Sequence, residues 1–144
     1  MDHSRLLAAT SAAQLGTGLA GLALALKRRH PYHVGPMRGR PGTVGRDSLT
    51  MGTALSAPAY MLAAQTIATR RLWRTPSPGA ERLLGWLGLS MTGGYLGESL
   101  VRRRLRPSQL DALESPLLVV AITLSVAMAV LGLARSRDER TTDA

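Results

Sequence analysis

Glu98 is the residue of this chain best suited to chemistry by type and place, because it is the one ionisable side chain inside four long stretches that otherwise carry no charge. A carboxyl group held among apolar residues can exchange a proton or take a cation, which makes it a functional candidate by default. Gln14, Tyr60 and Tyr95 are the polar side chains that could share an intramembrane site with it. Two features favour a plainer role. Glu98 stands three residues from the end of its stretch, and Arg102 follows four residues later, the favourable acid-then-base order for an ion pair along a helix. Gln14 is an amide and does not titrate near neutral pH.

Other chemical signatures dissolve on inspection. Gly16-Thr17-Gly18-Leu19-Ala20-Gly21 spells the glycine pattern of a dinucleotide-binding turn. That turn needs a β-strand before it and an acid closing the next strand. Here an Ala-rich, helix-prone segment precedes it, and Tyr32-His33-Val34-Gly35-Pro36 follows the next helix without an acid. Residues 39–47 resemble a phosphate-binding loop only faintly, with five residues between the outer glycines, Arg40 and Arg46 but no Lys, and Asp47 where a hydroxyl should stand. His3, His30 and His33 all fall outside the uncharged stretches, so no metal site is expected and no hydroxyl there has a histidine to act as its base. With no cysteine, thiol catalysis, zinc-thiolate and iron-sulfur chemistry and disulfides are excluded. No catalytic residue can be named, and no cofactor is expected.

The elements that must position these residues follow from where the charges are not. In 144 residues with 18 Lys+Arg against 9 Asp+Glu, nearly every charge sits in short clusters, and the stretches 6–26, 48–69, 83–101 and 116–134 lie between them. A helix needs ~20 mostly apolar residues to cross a bilayer. The helices of a soluble four-helix bundle would carry charges on their outer faces at nearly every turn. None of these stretches does. The expected fold is therefore all-α, a polytopic membrane protein of four transmembrane helices packed as one bundle, with a basic Gly/Pro-rich loop at 27–46 and a polar tail at 135–144. A β-barrel is excluded, since Val and Ile together number nine and nothing alternates with period two.

Acids lead the stretches and bases close them, as the helix macrodipole favours: Asp47, Glu81, Asp111 and Glu114 on one side, Lys27-Arg28-Arg29, Arg70-Arg71 and Arg102-Arg103-Arg104 on the other. Ser77-Pro78 and Ser115-Pro116 read as helix openings, Ser108 with Asp111 suggests a short interfacial helix, and Pro58 should kink the second span. Trp73 and Trp86 should sit at headgroup level. Residues 23–25 have the small-x-small form of a cleavage site, but the apolar stretch before them is longer than a signal peptide uses.

Small residues recur at helical spacing in the first three spans, including Gly16 and Gly21, Gly52, and Gly93, Gly94 and Gly97, and such ridges let helices approach closely in lipid. The bases Lys27, Arg28, Arg29, Arg102, Arg103 and Arg104 are expected to meet anionic headgroups. Nucleic-acid binding would need aromatics among the charges, and only Tyr32 is there. Lys/Arg in the loops divide ten against eight, leaning toward both termini outside; a balance this even also permits insertion in both orientations. Arg supplies 17 of the 18 bases, which suggests a GC-rich genome, and the compartment expected is a prokaryotic plasma membrane.

Three functions fit these residues. The first is a non-enzymatic accessory or scaffolding component, acting through helix contacts with its own copies or a membrane-protein partner. The second is a small-solute or proton-coupled transporter using Glu98. Small multidrug transporters are similar in their four-helix plan but place an acid near the middle of the first helix, where this chain has Gln14. The third is a membrane enzyme acting on a lipid, for which no catalytic constellation is present.

Overall fold

Helix is what the uncharged stretches form, and the ends show why. The computed structural model describes residues 2–28, 33–34, 37–38, 57–104, 106 and 110–142. Its elements are α1 (His3–Arg28), β1 (His33–Val34), β2 (Met37–Arg38), α2 (Ala59–Arg74), α3 (Pro78–Gly97), α4 (Ser99–Arg104) and α5 (Glu114–Thr142). Ser77 is the N-cap of α3 with Pro78 in its first turn, as expected, since proline there sacrifices only an N–H with no helical partner. α5 opens earlier than Ser115-Pro116. Asp111 Oδ1 accepts from the backbone N–H of Leu113 (3.0 Å) and Glu114 (2.9 Å), while Ser115 Oγ accepts from the N–H of Asp111 (2.9 Å). This is reciprocal capping, and it moves the cap to the residue whose carboxylate can take two donors.

The four long helices form a ring in the order α1, α2, α3, α5, each packed on the next and on the first again, with little contact across the diagonals. Neighbours run antiparallel. Ser11 meets Thr69 and Gln14 meets Gln65 along α1 and α2, while His3 meets Leu131 and Arg28 meets Glu114 along α1 and α5. The inward face of α1 is Ser4, Leu7, Ala8, Ser11, Gln14, Gly18, Gly21 and Ala25, three and four residues apart as one helical face requires. Leu62, Leu72, Leu84, Met91, Leu118 and Met128 fill the rest of the core.

Two helices, His3–Arg28 and the Glu114–Ala134 portion of α5, are long and apolar enough to cross a membrane, and both contain the stretches expected to do so. The other two spans are corrected in their bounds. Pro58 does not kink a helix at its middle; it is the N-cap of α2, because a residue lacking an N–H is harmless only where a helix begins. Residues 48–56 lie outside the described set. The third stretch breaks at Glu98, which is extended (φ −75°, ψ 127°), so α3 and α4 are separate helices.

Further expectations change. Within 27–46, expected as an irregular loop, β1 and β2 pair antiparallel (His33 with Arg38, Val34 with Met37). Of the short helix expected between 107 and 115, residues 107–109 lie outside the described set, and residues 112–113 form the turn into α5. The tail from 135 continues α5 to Thr142, since extending a formed helix costs little for residues such as Arg and Glu. Trp73 stands near the end of α2, but Trp86 lies eight residues into α3.

Candidate functional site

The middle of the bundle is polar. Gln65 on α2 and Gln14 on α1, both 0% exposed, share an amide hydrogen bond in which Gln65 Nε2 donates to Gln14 Oε1 at 2.8 Å. The second Gln65 proton goes to the carbonyl oxygen of Ser11 at 2.9 Å, and Ser11 Oγ stands 2.7 Å from Thr69 Oγ1. Gln14 Nε2 reaches Ser125 Oγ on α5 at 3.3 Å, and Ser125 in turn donates to the carbonyl of Ala121 at 2.8 Å. Three helices are thus tied by one network. The orientation of the Gln65 amide follows from the Ser11 carbonyl, which can only accept. Gln65 Oε1 and the Tyr95 hydroxyl are buried without a hydrogen-bond partner. Each such atom costs about 1–3 kcal/mol in desolvation.

The four expected polar residues do not form one hydrogen-bonded cluster. Gln14 is at the centre of the network just described, Tyr95 faces inward with its hydroxyl unsatisfied, and Tyr60 is 62% exposed on the outside of α2. Glu98 is buried at the break between α3 and α4, and its N–H caps the carbonyls of Gly94 and Tyr95. Arg102, exposed, donates its backbone N–H to the Glu98 carbonyl at 3.2 Å, so the two residues stay one helical turn apart beyond the break. Gln65, Ser11, Thr69 and Ser125 had a sequence signal, being hydrophilic residues inside uncharged runs, but nothing in the order of residues says that they converge.

Both ends of the bundle hold buried carboxylates. At one end Ser4 Oγ donates to Glu81 Oε1 at 2.6 Å, and His3 Nε2 lies 2.8 Å from the Leu131 carbonyl. At the other, Arg28 reaches Asp111 (3.0 Å) and the fully buried Glu114 (2.5 Å). Arg28, expected to meet anionic headgroups, is exposed and also has its guanidinium engaged by Asp111 and Glu114 at the start of α5. Lys27, Arg102 and Arg103 are exposed; Arg29 and the side chain of Arg104 lie outside the described residues.

The backbone N–H groups of Glu114 and Leu113, with Arg28 beside them, hold the Asp111 carboxyl well below its ordinary value, at about 2. A depressed carboxyl pKa adds stability that is complete above the unfolded value of about 4 and is lost as pH falls toward about 2. Asp111→Asn should therefore flatten the acid limb of a thermal-unfolding profile across that window. A profile identical to the parent's would show that the carboxylate contributes nothing as an anion.

The glycines pack differently from the expected stripes. Gly16, Gly93 and Gly94 have open space where a Cβ would stand, Gly97 is partly buried, Gly21 is buried, and Gly52 lies outside the described residues. The close approach is between α3 and α5. A Cβ on Gly88 would lie 2.6 Å from the Ser125 carbonyl oxygen, one on Gly85 2.9 Å from the Gly132 carbonyl carbon, and one on Gly132 2.5 Å from the Gly85 Cα. Only hydrogen fits there.

Among the described residues no three His, Asp or Glu side chains are placed to hold a metal ion. Compared with family models, with curated proteins and with solved structures, the chain matches none. Function therefore rests on the arrangement itself. Hydrogen-bonded amides, capped carboxylates and glycine contacts hold helices together; no nucleophile with an adjacent base is present in the network.

Proposed function

We propose that this chain is a multi-pass integral membrane protein in which α1, α2, α3 and α5 all cross the bilayer, and that it acts as a non-enzymatic accessory or scaffolding component through helix contacts. The inversion of polarity carries the reading. Along the middle of the helices the exposed side chains include Leu19, Ala20 and Ala23 on α1, Ala63 and Ile67 on α2, Leu83, Trp86 and Leu89 on α3, and Val119, Val126 and Val130 on α5, with Thr66, Ser90 and Thr123 among them, whereas Gln14, Gln65 and the carboxylates Glu81, Glu98 and Glu114 are buried. A water-soluble bundle distributes its residues the other way round. Five threonines of the helices conform, since Thr10, Thr17, Thr66, Thr92 and Thr123 each donate to the carbonyl four residues earlier and so carry their own donors satisfied.

A partner surface is supported by Gly93 and Gly94 with Ser90 beside them on the outside of α3, where nothing in the chain fills the space over the glycines. A second helix can approach there as closely as α5 approaches the other face. In mild detergent, Gly93→Leu with Gly94→Leu should abolish oligomer or partner recovery while leaving helicity unchanged. Undiminished assembly of the double variant would refute the scaffold reading. Since the chain has no cysteine, single cysteines placed at Thr75 and Arg106 can report topology without background. They should react with an impermeant maleimide from opposite sides of the membrane, with the termini on the side of Thr75. The Lys/Arg balance of ten against eight leans toward that side being outside, and labelling of each cysteine from both sides would reveal insertion in both orientations.

A further inference from the structure

At the end of the bundle where α1 begins and α2 ends, a half-open cleft of about 400 Å³ is lined by Asp2, Arg5, Trp73, Arg74 and Thr75, among others. It is of the size that takes a small polar ligand. Arg5 and Arg74 both line this concavity, with His3 between Asp2 and Ser4 engaged by the Leu131 carbonyl, and the planar donor fork of arginine suits phosphate oxygens. Asp2 opposes them with one negative charge. Arg70, Arg71 and Arg82, all exposed at this same end, shift the surrounding field toward positive, while the other carboxylate here, Glu81, is buried and accepts from Ser4. The N-terminal end of α1 and the C-terminal end of α2 meet here, so their helix dipoles offset each other and the arginines set the sign of the site.

What lies beside the cleft decides between a free anion and an amphiphile. Trp73 is more than half exposed, and its amphipathic indole has the preference of an interfacial residue. Deeper along the same two helices stand the exposed apolar side chains Leu6 and Ile67. A ligand with a charged head and apolar tails meets a matching surface at both levels; inorganic phosphate uses only the upper one.

We propose that this cleft binds the headgroup of an anionic phospholipid, with Arg5 and Arg74 holding the phosphate and Trp73 lying against the glycerol region. The site is at the opposite end from the basic cluster at Lys27 and Arg102–Arg103, and it rests on the bilayer reading given above. It would place a bound lipid in the angle between α1 and α2, where it braces the pair at its open end.

The test uses Trp86→Leu protein, so that Trp73 is the sole indole, reconstituted into phosphatidylcholine vesicles carrying a minor fraction of brominated phosphatidylglycerol or of brominated phosphatidylcholine. Trp73 should be quenched by the anionic lipid at the lower mole fraction, with about a fivefold preference lost for each arginine removed in Arg5→Ala and Arg74→Ala. Arg102→Ala with Arg103→Ala should leave the preference intact. Equal quenching by the two brominated lipids would overturn the headgroup site and leave the bilayer reading standing; quenching by neither would remove both. Protection of Trp73 by inorganic phosphate in lipid-free detergent, with no gain from added phosphatidylglycerol, would assign the cleft to a free anion and overturn the lipid.

Discussion

Gly132→Ala should be among the most damaging single-methyl additions available in this protein. The added carbon would lie 2.5 Å from the Gly85 Cα and backbone nitrogen and 2.6 Å from the Glu81 carbonyl oxygen, so the obstruction is backbone on every side. No rotamer change can relieve it. Overpacking a tight core typically costs 1–3 kcal/mol, and with no flexible atom to yield we expect about 3 kcal/mol or the loss of the α3–α5 contact altogether. The informative comparison is Gly94→Ala on the opposite face of α3, where a Cβ meets nothing within 4 Å. There the higher helix propensity of alanine should leave stability unchanged or raise it by up to about 1 kcal/mol. Thermal or denaturant unfolding in one detergent reads both. Similar losses at the two positions would show that the glycines act through backbone conformation and not through helix approach.

Val126→Arg carries the second large expected effect, and it tests the solvent around the bundle. Val126 lies near the centre of the apolar part of α5 and on its exposed side. An arginine at the midpoint of a transmembrane helix costs about 3 kcal/mol on insertion scales. The same change on a water-facing helix surface falls within about 0.5 kcal/mol. The membrane reading therefore predicts a large fall in the membrane-integrated fraction for Val126→Arg and none for Val126→Thr, whose hydroxyl can bond the carbonyl four residues back as Thr123 already does. Full integration and parental stability of the arginine variant would place α5 in water.

The sequence discloses one kind of information well. A run of residues without charge and a cluster of acids or bases at its end are local facts, and they locate α1, α5, the start of α3 at Ser77-Pro78 and the charge pattern at helix ends. Facing is different. α3 carries small residues on two sides, Gly85 and Gly88 on one and Ser90, Gly93 and Gly94 on the other, and spacing alone ranks neither. The signal available was Gly132, the single glycine in the most hydrophobic stretch: a glycine there weakens the helix unless a close approach repays it. Gln14 was legible as a polar residue at mid-span, but its partners Gln65 and Ser125 are 51 and 111 residues away, so the network exists only once the ring closes. The break at Glu98 and the cap at Asp111 both turn on which backbone donors find acceptors. Residue type narrows that choice without making it.

The pairing of α1 with α5 also sets an order of assembly. His3 meets the carbonyl of a residue 128 positions later, and Arg28 meets Glu114 after 86. During synthesis α1 emerges long before the helix that closes the ring against it. On the bilayer reading, Ser11 and Gln14 face hydrocarbon in that interval with unmet donors and acceptors, and Gln65, made 51 residues after Gln14, is the first side chain able to engage both. The same reading predicts that the glutamine pair holds an early hairpin of α1 and α2 together before α3 and α5 are made, with Ser125 joining the set last. A chain stalled before α5 should accordingly retain the α1–α2 hairpin and be prone to capture by membrane quality control.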